Sequence, residues 1–106
     1  MSDAQGAGQD TVESFETIDA QLTMFALANG MDLSKGEGYR RLEWFLEGFE
    51  RAIMIESENP ESFRVRVMSW PSGSAESRRE STVGEGMSAK AVGSILTDTI
   101  DSANEL

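Results

Sequence analysis

The stretch from Ala52 to Trp70, AIMIESENPESFRVRVMSW, constrains the fold of this chain more than any other. Two apolar runs, Ala52–Ile55 and Phe63–Met68, flank a polar connector that holds Asn59 and Pro60. The second run alternates: Phe63, Val65 and Val67 point one way, Arg64 and Arg66 the other. Alternation with period two and β-branched residues marks a half-buried strand. Two such runs around a short connector predict an antiparallel hairpin.

On either side of this hairpin the spacing is helical. From about Thr11 to Asn29, residues Val12, Phe15, Ile18, Leu22, Phe25 and Ala26 recur at steps of three and four, and Gly30 can close the helix. Met24 and Leu27 lie on the opposite side with Ala20, so the last turns are apolar nearly all round. A second helix is predicted from about Glu37 to Gly48. Its stripe is Leu42, Phe45, Leu46 and Phe49, and Glu37–Arg41 and Glu47–Arg51 have the favourable i,i+4 order. Continuation as one long helix to Glu56 is the alternative; a break near Gly48–Glu50 agrees better with the β-favouring run at Ala52–Ile55.

Ser72–Gly86 is rich in Ser, Gly and charge. It reads either as a mobile loop or as holding a polar edge strand near Arg78–Val83. Ser88 is placed to cap a last helix, whose one face is Val92, Ile95, Leu96, Thr99 and Ala103. The expected fold is therefore α+β: two N-terminal helices, an antiparallel β-hairpin or small three-stranded sheet, and a C-terminal helix. Met1–Asp10 is read as a disordered acidic tail, and residues 11–106 as a single small domain.

Composition narrows the function. The net charge of −10 over 106 residues argues against direct nucleic-acid binding and against anionic membranes. There is no Cys and no His. That removes thiol chemistry and the usual ligands of zinc, copper and iron, along with the commonest general base. No metal and no cofactor is expected. No signal peptide or membrane span is visible, and the compartment is read as cytoplasmic.

Several constellations have a functional and a bland reading. Glu43, Glu47 and Glu50 suggest a carboxylate cluster, or a solvated helix face. Asp98, Asp101 and Glu105 are treated in the same way. Val83–Lys90 puts two glycines and a lysine at a helix start, but without phosphate-loop spacing, and Glu85 would repel an anion. Ser88 and Lys90 lack the surroundings of a catalytic dyad. Arg64 and Arg66 are expected to pair with acids such as Glu56 rather than to form a ligand surface with Met68 and Trp70. Trp44, placed away from the stripe of the second helix and flanked by Arg40 and Arg51, has the composition of an interaction hot spot.

The chain thus reads as a small, acidic, non-enzymatic protein-interaction module: an adaptor, chaperone or regulator. It is expected to form a homodimer through the sheet edge, Met24/Leu27 or Trp44, and the interaction candidates are Met24, Leu27, Arg40, Trp44, Arg51, Met68 and Trp70, with a protein partner expected. Small acidic secretion chaperones share this general composition, although no motif of theirs is found here. Two alternatives stand beside it. One is a ligand-binding module or enzyme built on carboxylates and arginines; the other is a nucleic-acid mimic that inhibits a basic protein.

Overall fold

The computed structural model describes residues 3–59 and 61–106, with side chains from Phe15 onward. Helix α1 spans Asp3–Asn29 and is followed by strands β1 (Asp32–Gly36), β2 (Tyr39–Leu46), β3 (Phe49–Asn59), β4 (Ser62–Pro71) and β5 (Arg79–Met87). A 3-10 turn at Ala75–Ser77 lies between β4 and β5, and α2 (Ala89–Asn104) follows β5. The five strands form an antiparallel meander in the order β1-β2-β3-β4-β5.

This corrects the expected architecture. There is one N-terminal helix rather than two, and the sheet has five strands rather than two or three. The segment expected to be the second helix is β2 and the start of β3. Its spacing of Leu42, Leu46 and Phe49 has another cause. Glu47 and Gly48 form a two-residue turn with φ of 57° and 85°. Positive φ at both central residues is the backbone of a type I′ hairpin, whose twist matches that of paired strands. The turn brings Leu46 opposite Phe49, so both fall on one side of the sheet. The pairs Glu37–Arg41 and Glu47–Arg51 do not form; Arg41 instead meets Glu43, two residues on and on the same strand face, at 2.8 Å. The segment read as a connector, Met31–Gly38, contains β1, and the polar stretch after Trp70 supplies the edge strand β5.

The hairpin in the middle of the chain pairs as expected, with Ala52 opposite Met68, Ile53 opposite Val67 and Ile55 opposite Val65. Both helices lie on one side of the sheet. Phe15, Ile18, Leu22 and Ala26 of α1 and Val92, Leu96 and Ala103 of α2 form one core with Leu42, Ile53, Ile55, Phe63, Val65 and Val67. Each of the larger side chains, once fully buried, contributes about 1.5–3 kcal/mol. Ser88 caps α2 by accepting a hydrogen bond from the Ala91 N–H at 3.1 Å. The tail expected over Met1–Asp10, and Val12 of the first stripe, lie outside the residues whose side chains are described.

Candidate interaction surface and basic cleft

With both helices on one side, the other side of the sheet has no covering element among the described residues. Register defines its side chains. Across the strands run the rows Tyr39–Glu56–Arg64, then Arg41–Met54–Arg66–Thr82, then Asp32–Glu43–Ala52–Met68–Glu80, then Phe45–Glu50–Trp70. Ala52 and Met68 are nevertheless buried, at 0% and 2% exposure. Neighbouring side chains on the same face provide that cover. The Arg41 guanidinium lies over the Trp70 ring, 5.8 Å from its centroid, although β3 separates their strands. The β3 residue nearest this crossing is Ala52, which has no side chain beyond Cβ to obstruct it.

Charges on this face are linked into a ladder. Glu56 accepts from Arg64 at 3.1 Å and from Arg66 at 3.0 Å; Arg66 also reaches Glu80 at 2.8 Å, and Glu80 meets Arg78 at 2.9 Å. Phe45 stands at the end of the face beside the Glu47–Gly48 turn and is 62% exposed. Tyr39 is exposed at the other end of β2.

The edges of the sheet are less available than the face. β1 is short, at five residues. In β5, two register shifts against β4 each insert an extra residue, so Arg66 pairs with Thr82, Val65 with Gly84 and Phe63 with Met87. Bulges and short edge strands are the usual means of preventing edge-to-edge pairing.

The sequence-predicted contact residues divide among three places. Met24 and Leu27 are exposed on the outer side of α1. Met68 and Trp70 belong to the open sheet face. Arg40, Trp44 and Arg51 point to the helix side. Arg40 is buried and pairs with Asp19 of α1. Trp44 packs against the core, and its Nε1 donates to Asn104 Oδ1 at 3.3 Å. Arg51 is buried at 7% exposure. Trp44 and Arg51 are register neighbours, but neither lies on a surface with Met68 or Trp70. Tyr39, Arg41, Phe45 and Met54 complete the open face. Reading 39–46 as alternating, YRRLEWFL, would have found Tyr39, Arg41 and Phe45.

The other constellations disperse. Glu43 and Glu50 sit on different strands of the open face and Glu47 in the turn. Among the described residues, no group of three or more acidic side chains is placed to hold a metal ion. The glycines of Val83–Lys90 lie in the bulged part of β5, where the Gly86 N–H donates to the Glu58 carboxylate at 3.1 Å.

On the helix side, beyond the end of α2, a cleft of ≈ 220 Å³ opens between Phe49, Ser69, Pro71, Ser77, Arg79 and Leu106. Arg51, Ser69 and Arg79 form one row across β3, β4 and β5, of which Ser69 and Arg79 line the cleft.

No protein-family model, curated protein sequence or solved structure matches this chain. No helix among the described residues is long and apolar enough to cross a membrane.

Proposed function

We propose that the protein is a non-enzymatic interaction module that pairs with a second copy of itself through the uncovered sheet face. The observation carrying this reading is Phe45, a large apolar side chain 62% exposed on a sheet face that no helix among the described residues covers. Trp70 shares its cross-strand row, and Arg41, Met54 and Tyr39 lie further along the same face. Aromatic residues, Met and Arg are the types enriched where interfaces hold their energy.

Size and charge agree with self-association. Strands of five to eleven residues, five of them side by side, make a face of roughly 550 Å² in plan. Side-chain relief brings that near the ~800 Å² that each partner buries in an ordinary stable complex. The face carries Arg41, Arg64 and Arg66 against Asp32, Glu43, Glu50, Glu56 and Glu80. Its difference of two negative charges is small beside the net charge of −10 for the whole chain. Arginines and carboxylates of two copies can pair across a two-fold axis, the commonest symmetry of such pairs, and offset part of the like-charge repulsion.

Composition supports the non-enzymatic part, since the chain has neither Cys nor His. The cytoplasmic compartment is part of the same proposal. Sedimentation equilibrium at micromolar concentration tests the pairing. A dimer that tightens as salt screens the remaining like charge is expected; a monomer at both low and high salt refutes it.

A further inference from the structure

The charge of this chain is unevenly placed. Helix α1 holds five acidic residues and no base, and α2 holds Asp98 and Asp101 against Lys90 alone. Seven acids against one base put six of the ten net negative charges on the two helices. No Lys or Arg precedes Lys35 or follows Lys90. Asp19 of α1 is taken up by Arg40 and Lys35. Glu16 on α1 and Asp98 and Asp101 on α2 are exposed and have no ion-pair partner among the described residues.

The same outer side carries the two most exposed large apolar side chains of the described residues, Met24 at 67% and Leu27 at 74%. They stand one turn apart, opposite the buried stripe of Phe15, Ile18, Leu22 and Ala26. Ala20 and Ala28, one turn on either side of Met24, are exposed as well. Large residues with short ones a turn away make the ridge and grooves into which a second helix packs. Glu16 lies one turn before Ala20. Helix α2 lies beside α1, where Gln21 Nε2 donates to the Gly93 carbonyl at 3.3 Å.

Charge decides what can cover this ridge. A second copy would set the most acidic part of one chain against the same part of another, and like charges repel. Nucleic acid and anionic lipid are disfavoured for the same reason. A helix with an apolar stripe and Lys or Arg beside it meets the opposite condition. The last turn of α1 has no basic residue, so a cation brought there also meets the negative end of the helix dipole.

We infer that the outer ridge of α1 binds a basic amphipathic helix of a partner protein, with Met24 and Leu27 against its apolar stripe and Glu16, Asp98 and Asp101 facing its cations. Apolar anchors spaced by a turn supply the affinity of such helix contacts. The acids speed encounter and select against acidic partners.

The ridge and the open sheet face are on opposite sides of the molecule, and the test does not depend on self-association. Amide chemical shifts of the full chain are followed while a synthetic peptide of repeated Leu-Lys-Lys-Leu units, about four helical turns long, is added. Saturable shifts centred on α1 from Ala20 to Ala28 and on the exposed side of α2 are expected. Peptides of Leu-Glu-Glu-Leu and of Ser-Lys-Lys-Ser units bind about tenfold more weakly or less, the first lacking the charge and the second the apolar stripe. Met24→Ser/Leu27→Ser, at two exposed positions, keeps a native spectrum and loses about tenfold or more in affinity for the Leu-Lys-Lys-Leu peptide. Phe45→Ser binds that peptide as the unaltered chain does. Absence of saturation, or shifts centred on the sheet face, overturns the inference. Equal binding of the Ser-Lys-Lys-Ser or Leu-Glu-Glu-Leu peptide, or unchanged binding by natively folded Met24→Ser/Leu27→Ser, overturns it too.

Discussion

Arg40 on β2 and Asp19 on α1 are joined at two points, Nε to Oδ1 at 2.8 Å and Nη2 to Oδ2 at 3.1 Å. The same guanidinium lies 4.2 Å from the centroid of the Phe15 ring and donates from Nη1 to the Gly36 and Tyr39 carbonyls. One side chain thus ties the first helix to the turn between β1 and β2. With both partners mostly buried, removing one leaves the other charge without compensation. Asp19→Asn is expected to cost about 2–4 kcal/mol, because the guanidinium stays buried while its anion is lost. Urea unfolding measures this. A change of less than about 0.5 kcal/mol, the usual range for an unremarkable surface substitution, would show that Arg40 does not depend on Asp19.

The two sides of β4 should respond very differently. Val65 is fully buried in the core, so Val65→Asp places an unpaired charge there and should unfold the protein or cost several kcal/mol. Ile53→Asp, from the neighbouring strand, should do the same. Arg64 points to the open face and its side chain is 39% exposed; Arg64→Ala should cost about 1 kcal/mol or less. Thermal or urea unfolding of the three variants decides it, and equal small losses at Val65 and Arg64 would mean that the faces are wrongly assigned.

The turn at Glu47–Gly48 gives a prediction of opposite signs at adjacent residues. Gly48 has φ of 85° and open space where a Cβ would stand, so the cost of Gly48→Ala is conformational alone, about 1–2 kcal/mol. Glu47 has φ of 57° with a full side chain. Asn tolerates this conformation better, so Glu47→Asn should stabilise by a few tenths of a kcal/mol up to about 1 kcal/mol. If both substitutions shift the unfolding midpoint in the same direction, the type I′ backbone is not what sets this hairpin.

These contrasts also show which parts of the fold the sequence makes legible. The hairpin of β3 and β4 is legible because Phe63–Met68 alternates strictly around a clear turn. The buried face of α2 is legible because Val92, Leu96, Thr99 and Ala103 keep helical spacing behind a Ser cap. β2 is obscured because apolar residues stand on both of its sides: Leu42 and Trp44 face the core while Tyr39 and Phe45 lie on the open face. Its Leu, Glu and Arg are good helix formers, and tertiary pairing overrides that preference. A correcting signal was present in Gly38, Gly48, Asn59 and Gly73, turn residues spaced as in a meander of short strands. Of the contact residues, Trp70 and Met68 could be placed from alternation alone. Trp44 and Arg51 could not, because their helix-side position follows from the strand assignment of 39–51. The row Arg51–Ser69–Arg79 joins three strands and leaves no local pattern in sequence.

Self-association through the open sheet face is the central claim, and the dimer dissociation constant of chosen variants tests it most directly. Sedimentation equilibrium compares the unaltered chain with Phe45→Ser and with the double variant Met24→Ser/Leu27→Ser on the outer side of α1. All three sites are exposed, at 62%, 67% and 74%, so loss of folding does not confuse the comparison. Removing an aromatic hot spot from an interface typically costs about 2 kcal/mol or more, a factor of about 30 in the dissociation constant. Weakening of about 30-fold by Phe45→Ser, with the α1 double variant within about threefold of the unaltered chain, is the predicted result. Weakening by the α1 variant with Phe45→Ser unchanged would contradict the claim and move the contact to the first helix.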